Sequence, residues 1–359
     1  MSRIRKKIEE IHFDKENNGI FIKILKPVSY LYNGVAKIRR EIYSKRLLKS
    51  RVAGCFTIAV GNLTYGGTGK TPVVINLAGM FSERGLRVGI VHSGYGSLKY
   101  SKGRAIRVMS SDDGPDVGDE AAELFVRAKD ALVYSSRNRE EAIEKAIYEG
   151  GVNVCILDDA FQYMKIFPNL KILVVDFYDQ FGNEYCLPAG PMRESRDAIS
   201  DADIIWFVSP GECKREQKIE EEYLSINSSL KFIYSQFSPE YLIRPRDMEK
   251  VEISSLKGKV VSFSGIGRDK RFTNMLSSAN IAIERHLSFE DHHRYRKKDI
   301  ENINSMAEKH GADTVITTEK DYLRDTKVLS QVKNLHILRV YLKITDGMSE
   351  LEKVCGIFS

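Results

Sequence analysis

The chain lacks any pair of cysteines at C-x-x-C spacing. Its five cysteines, Cys55, Cys155, Cys186, Cys213 and Cys355, are odd in number and widely scattered. This excludes a disulfide framework and a zinc knuckle, and it fits a reducing compartment. No apolar run approaches the roughly 18 residues that a membrane span needs. The N-terminus, MSRIRKKIEEIHFDKENNG, has no apolar core and so argues against a secretion signal. Internal repeats and low-complexity tracts are missing as well. So is a basic surface spread over the whole molecule. The formal net charge is +6, but residues 1–51 carry 14 Lys and Arg against 5 Asp and Glu, whereas the other 308 residues carry 41 against 44. A nearly neutral body excludes nucleic acid as the partner of the whole protein. The N-terminal excess instead points to one basic segment docking on something anionic. With 42% hydrophobic and 29% charged residues, the composition is that of a folded soluble protein. Its length of 359 residues suggests about two domains.

Residues 20–48 form a basic amphipathic segment. Phe21, Leu25, Val28, Leu31, Tyr32, Val35, Ile38 and Ile42 recur at three- and four-residue steps, with Lys23, Lys26, Lys37, Arg39, Arg40, Lys45 and Arg46 among them. Pro27 suggests a helix start or kink, so the helix is expected at about 28–46. The segment suits either a surface helix with its stripe packed on the core or a helix lying on a membrane surface.

From residue 52 onward, short apolar runs alternate with helical stretches. Strands are expected at Val52–Val60, Arg87–Val91, Leu132–Tyr134, Val154–Asp158, Lys171–Asp176 and Asp203–Val208, with helices at 70–83, 119–129 and 138–149. This alternation predicts a doubly wound, mostly parallel α/β sheet covered on both faces. After a charged helical stretch near 211–223 and extended pieces at Lys231–Phe237 and Tyr241–Arg244, a second series begins. It has strands at Val260–Ser264, 281–287, Thr314–Thr317 and Leu335–Val340, and helices at 269–279 and 297–309. The expected organisation is a basic segment at 1–50, a larger domain at 51–245 and a smaller α/β domain at 246–359.

The sharpest signal is Gly61-Asn62-Leu63-Thr64-Tyr65-Gly66-Gly67-Thr68-Gly69-Lys70-Thr71, which follows a strand and opens a helix. It reads as a phosphate loop of the P-loop NTPase kind, with residues 64–71 binding ATP. Glycines let backbone N–H groups turn toward phosphate oxygens, and the helix N-terminus adds partial positive charge. Lys70 reaches the β- and γ-phosphates, and the Thr71 hydroxyl serves Mg²⁺. An apolar strand ending in Asp158-Asp159 supplies the acids that a metal-nucleotide site needs. Asp119 at a helix start reads as either an N-cap or an acid able to accept a hydroxyl proton. His292 and His293 are adjacent and have no further ligand cluster in sequence, which disfavours a zinc pair.

Further segments fall in a recognisable order: Gly94-Tyr95-Gly96, Val117-Gly118-Asp119-Glu120, Leu187-Pro188-Ala189-Gly190-Pro191-Met192-Arg193-Glu194, Phe289-Glu290-Asp291-His292-His293 and Thr318-Glu319-Lys320-Asp321. Together with the phosphate loop they resemble the tetraacyldisaccharide 4′-kinase family from about residue 20 to 325. Thr64 at the first loop position matches that family too. The resemblance implies a kinase that moves the γ-phosphate of ATP, with Mg²⁺, onto the 4′-hydroxyl of an acylated disaccharide 1-phosphate in lipopolysaccharide synthesis. It implies a monomer held peripherally at the cytoplasmic face of the inner membrane through residues 20–48. By position it makes Asp119 the catalytic base and His292 a residue that approaches the reacting centre. It assigns Glu194 to the metal and phosphate-loop region. Glu120, the neighbour of Asp119, and Arg193 are expected at the substrate, with surface ion pairing as the alternative for Arg193 and Arg196.

The chain departs from the family pattern at several places. His92-Ser93 stands where Ser-Arg is common, Ala160 and Tyr163 flank Phe161-Gln162 in place of Gly and His, and Ser195 and Glu290 replace prolines. Two rivals are a partitioning-type ATPase and an inactive nucleotide-binding module. The first needs a lysine where the chain has Tyr65, and the second is opposed by the intact base and metal candidates.

Overall fold

The computed structural model describes residues 2–14, 19–94, 104–110, 114–266, 269–291 and 293–356. It divides into two compact units. The larger comprises Met1–Ser209, Cys213–Ser235 and Ile344–Ser359; the smaller comprises Pro210–Glu212 and Gln236–Lys343. The boundary expected near 245 thus falls inside the smaller unit, and the C-terminal segment returns to the larger one.

In chain order the larger unit opens with helices α1 (Ser2–Phe13) and α2 (Ile20–Ser44), strand β1 (Phe56–Gly61), helix α3 (Lys70–Ser82) and strands β2 (Val88–His92) and β3 (Ile106–Arg107). Next come α4 (Gly114–Val117), α5 (Asp119–Arg127), β4 (Ala131–Ser135), α6 (Arg139–Gly150), β5 (Val154–Leu157), β6 (Leu170–Asp176), β7 (Ile204–Ser209) and α7 (Gln217–Leu224). The chain crosses to the smaller unit along β8 (Lys231–Arg244). There it forms β9 (Glu249–Val251), β10 (Val260–Ser264), α8 (Asp269–Ser278), β11 (Ile283–Ser288), α9 (Lys297–His310), β12 (Thr314–Thr318), α10 (Glu319–Arg324) and α11 (Thr326–Leu329). It returns along β13 (Leu335–Asp346) and ends in α12 (Met348–Val354).

The strands of the larger unit run in the order β8-β7-β6-β1-β5-β2-β4-β3. Those from β7 to β4 pair in parallel, and β3 closes the edge antiparallel to β4. β2, β5 and β7 are buried at every position, as expected of parallel strands with helices on both faces. Ala59, Val91, Tyr134, Ala142, Ile143 and Leu157 pack in one core cluster; Leu173, Phe207, Tyr223 and Tyr234 belong to another. β1 lies between β5 and β6, so the chain winds away from it in both directions. The carboxyl ends of β1, β5 and β2 meet at this switch point, where a doubly wound sheet places its ligand crevice. In the smaller unit β11, β10, β12 and β13 are parallel neighbours, and α8, α9 and α10–α11 connect them.

The structure corrects several local expectations. α2 begins at Ile20 and continues through Pro27 rather than starting at it. Its inward contacts hold it despite the missing proline N–H, since Ser29 Oγ accepts from Ala189 N and Asn33 Oδ1 accepts from Ser195 N. The two extended pieces after residue 230 are one strand, β8, and the last strand runs on to Asp346. α1, α10, α11 and α12 were not anticipated. Among the described residues, no helix is long and apolar enough to cross a membrane.

Candidate active site

The phosphate loop leaves the end of β1 and feeds α3. Gly69 is the N-cap of α3 with φ +92°, and a Cβ there would lie 2.7 Å from Val208 Cγ1. Only glycine fits that position on both counts. At the other end of the loop, a Cβ on Gly61 would lie 2.6 Å from Phe161 N, so β1 can approach the segment after β5 this closely only as glycine. Asn62, wholly buried, organises the loop: its Nδ2 donates to Thr68 Oγ1 at 3.0 Å and its Oδ1 accepts from Lys70 Nζ at 3.1 Å.

The Leu187–Glu194 motif runs alongside this loop. Thr64 and Met192 form an antiparallel bridge, Tyr65 N donates to Pro191 O at 3.0 Å, and Arg193 N donates to Leu63 O at 2.6 Å. The motif therefore fixes the position of the phosphate loop and delivers Arg193 and Glu194 beside it. Arg193 Nη1 lies 3.0 Å from both carboxylate oxygens of Asp159, and Lys70 Nζ lies 3.6 Å from Asp159 Oδ1. Burial alone would raise the Asp159 pKa. The positive charges of Lys70, Arg193 and Arg139 overcome it and hold this carboxyl well below the usual range, so it is ionised. Asp159 itself has φ +49°, a left-handed turn that separates its side chain from that of Asp158. Arg139, buried at the start of α6, donates to the carbonyls of both aspartates at 2.8 and 2.9 Å.

Asp158 is buried. His92 Nδ1 lies 2.9 Å from its Oδ2, and His92 Nε2 lies 3.9 Å from Glu120 Oε2. Burial by itself lowers the His92 pKa, but the hydrogen bond and charge of Asp158, with the charge of Glu120, raise it above the ordinary value. Asp158 Oδ1 has no partner among the described residues. His92, Glu120 and Asp158 are also the one group of three or more His, Cys, Asp and Glu, among the described residues, with ligand atoms within 4.8 Å of one another.

A cleft of about 1290 Å³ opens beside these groups. Asp159, Arg193 and Glu194 line it next to Arg139, while Tyr32, Val35 and Arg39 reach it from α2. Glu194 is ion-paired with Arg40 of α2, which also pairs with Asp201. Arg196 pairs with Glu184 and Glu222.

The remaining site residues lie apart from this description or only partly within it. Gly118 is the N-cap of α5 and Asp119 its first helical residue, so the cap reading of Asp119 does not hold; its side chain lies outside the described residues. His292 and Tyr95-Gly96 lie outside them too. His293, next to His292, packs on Phe289 and Tyr295, and its Nε2 lies 3.0 Å from Asp299 Oδ2. Sequence reasoning missed the roles of Asn62 and Arg139, for which the only local signal was their nearness to the phosphate loop and to a strand end.

The family model for tetraacyldisaccharide-1-P 4′-kinase matches residues 21–354, leaving α1 outside. A tetraacyldisaccharide 4′-kinase of Desulfatibacillum aliphaticivorans is 32% identical over 97% of this chain and 96% of its own length. One of Desulfotalea psychrophila is 31% identical over 96% and 99%. Among solved structures, the LpxK of Aquifex aeolicus in complex with ATP superposes with a TM-score of 0.74 at 25% identity, covering 94% of this chain and 99% of that one. With an ordered phosphate loop, a paired-aspartate strand end and a match over nearly its whole length, the chain belongs to the tetraacyldisaccharide-1-P 4′-kinase family.

Proposed function

We propose that this protein transfers the γ-phosphate of ATP to the 4′-hydroxyl of a tetraacyldisaccharide 1-phosphate at a membrane surface. The observation that carries the reading is a single floor of charge. Lys70, Asp159 and Arg193 converge at the phosphate loop, and the same cleft is walled by the amphipathic helix α2. Phosphoryl transfer needs mainly positioning and charge neutralisation.

Residues 64–71 cradle the nucleotide phosphates through backbone N–H groups and the N-terminus of α3, and Lys70 supplies the fixed positive charge. In the present state Lys70 is held by Asn62 and Asp159, which keeps it extended toward the loop. Mg²⁺ fits the acids here, because Asp158 presents a buried carboxylate oxygen with no partner among the described residues and Thr71 places a hydroxyl directly after Lys70. When bound, the ion neutralises charge on the β- and γ-phosphates. Asp158, Asp159, Thr71 and Glu194 are the residues to hold it or its waters. Asp119, the first residue of α5, is the acid to accept the proton of the attacking hydroxyl. Glu120 and Arg193 orient the acceptor sugar, and the family resemblance gives His292 a part at the reacting centre.

The acceptor is an acylated lipid, and α2 supports a peripheral docking mode. Its outward stripe, Ile20, Ile24, Val28, Leu31, Val35 and Ile38, is more than half exposed at every position. The exposure of this stripe supports the membrane-surface reading over a stripe packed on the core. Incubation of the protein with labelled ATP, Mg²⁺ and a tetraacyldisaccharide 1-phosphate, followed by mapping of the product, tests the proposal. Label on the 4′-oxygen is expected; ATP hydrolysis without lipid phosphorylation would overturn it.

A further inference from the structure

α1 lies ahead of the residues that the family model matches, and its last turn is built into the phosphate loop. His12 is 3% exposed, and its Nδ1 lies 2.8 Å from the hydroxyl of Tyr65, the residue directly before Gly66-Gly67. The rings of His12 and Phe13 meet the Tyr65 ring edge-on at centroid distances of 5.7 and 5.9 Å. The same turn is anchored from behind. Asn183 N donates to His12 O at 2.9 Å, and Gly182, at φ +61°, lies so close that a Cβ there would be 2.5 Å from His12 O. Residues 182–183 in turn carry the Leu187–Glu194 motif, since Asn183 Nδ2 donates to Ala189 O at 3.0 Å. Tyr65 is thus held on two sides, by Pro191 O on its backbone N–H and by α1 on its side chain.

The two residues after Tyr65 are both glycines. Gly66 has φ +98°, and neither Gly66 nor Gly67 would bring a Cβ within 4 Å of any neighbour. Such a segment has many conformations to lose when phosphate binds. Fixing Tyr65 removes part of that cost in advance, which is preorganisation. We propose that α1 is a brace for the phosphate loop, with His12 and Phe13 as positioning residues that hold Tyr65 in the nucleotide-binding conformation. The proposal rests on the nucleotide-site reading above. Burial keeps the His12 ring below its ordinary pKa and therefore neutral, which suits a single shared hydrogen bond with the phenol.

The test is binding of a non-hydrolysable ATP analogue with Mg²⁺ to the full chain, by calorimetry. The variants are His12→Ala, Tyr65→Phe, their double and His12→Asn, each accompanied by a melting curve and by the split of kcat and ATP KM. Loss of this hydrogen bond is expected to weaken binding about 3- to 10-fold in either single variant. The double is expected to be no worse than the worse single, because the two residues act through one contact. In His12→Ala, kcat at saturating ATP should stay near its original value, and His12→Asn, which retains a polar side chain of similar reach, should recover part of the affinity. Should His12→Ala release α1 and lower the melting temperature, Tyr65→Phe, which keeps the ring contacts, decides alone. Unchanged affinity in Tyr65→Phe, or losses that multiply in the double, would overturn the brace. Lys70→Ala separates the two readings. If it binds the analogue normally, the nucleotide site itself is misassigned; if it loses binding while the His12 and Tyr65 variants do not, only the brace fails.

Discussion

Replacing Asp321 alone should cost far more than replacing Asp321 and Arg324 together. Both side chains are almost fully buried in the smaller unit. The Asp321 carboxylate accepts from Arg324 Nη1 at 3.1 Å, Gly265 N at 3.1 Å and Thr318 Oγ1 at 2.6 Å. Arg324 Nη1 also reaches the carbonyls of Gly265 and His293, both at 3.3 Å. The Thr318-Glu319-Lys320-Asp321 motif is therefore a buried ionic tie between the end of β10, the start of α10 and the loop that follows β11. In Asp321→Leu, a guanidinium is left in the core without its counter-charge, which costs about 3–5 kcal/mol. In the Asp321→Leu/Arg324→Met double variant no charge remains. The main residual loss is then the unsatisfied Gly265 N–H, worth about 1–3 kcal/mol. A protein with two compact units need not unfold in one step, so a global melt is the wrong readout. Amide hydrogen exchange followed by mass spectrometry, read on β10 and β12, reports the stability of this unit directly. The reasoning fails if Asp321→Leu costs less than about 1 kcal/mol, or if the double variant loses the sum of both singles.

Three further outcomes are expected. Lys70→Ala should abolish transfer with the melting temperature preserved, whereas Asp119→Ala should lower kcat with little change in the KM for ATP; a pure KM effect would make Asp119 a binding residue. Gly69→Ala should destabilise the larger unit by about 2–4 kcal/mol, combining left-handed strain with overlap on Val208, whereas Gly67→Ala should leave the melting temperature alone because its Cβ meets nothing within 4 Å. Ile24→Gln/Leu31→Gln/Val35→Gln should fold normally, since these side chains are exposed, but should bind anionic vesicles at least 100-fold more weakly at roughly 1.5–3 kcal/mol per buried side chain. Sedimentation with phosphatidylglycerol vesicles measures this, and wild-type binding would end the docking proposal.

The phosphate loop and the Asp158-Asp159 strand end were legible in the sequence because their signals are local. Glycine is the favoured residue where φ is positive, and an apolar strand must end where carboxylates begin. The alternation of strands and helices was legible for the same reason. What escaped were features fixed by partners distant in sequence. Nothing around His12 announces contact with Tyr65, 53 residues away. Arg139 reads as an ordinary first-turn residue of α6 until its hydrogen bonds to the carbonyls of Asp158 and Asp159 are seen. The helix start at Ile20 was masked by Pro27, because local propensity counts the lost N–H but not the tertiary contacts that compensate for it.

The departures from the family pattern have physical partners, and His92 is the most consequential. Tyr163 is held by Glu140 and covered by the Arg139 guanidinium at 4.7 Å from its ring centre, and Ala160 is buried in the core cluster with Ala59 and Leu157. Both substitutions are thus built into the walls around β1 and β5. His92 goes further, because its imidazole is the hydrogen-bond partner of Asp158 Oδ2 while Oδ1 has none among the described residues. His92→Ala would leave a buried carboxylate with neither oxygen paired, at a cost of about 1–3 kcal/mol or more. Two measurements separate a structural from a functional share of that cost. A lower melting temperature alone would mean that His92 serves only the fold. A raised Mg²⁺ requirement at saturating ATP, with partial recovery in His92→Asn, which can still donate an N–H, is the outcome expected if His92 orients Asp158 for the metal. An unaltered melting temperature together with an unaltered Mg²⁺ dependence would refute both. The position where the family commonly carries serine would then tolerate histidine without using it, despite a 2.9 Å contact to the central acid of the site.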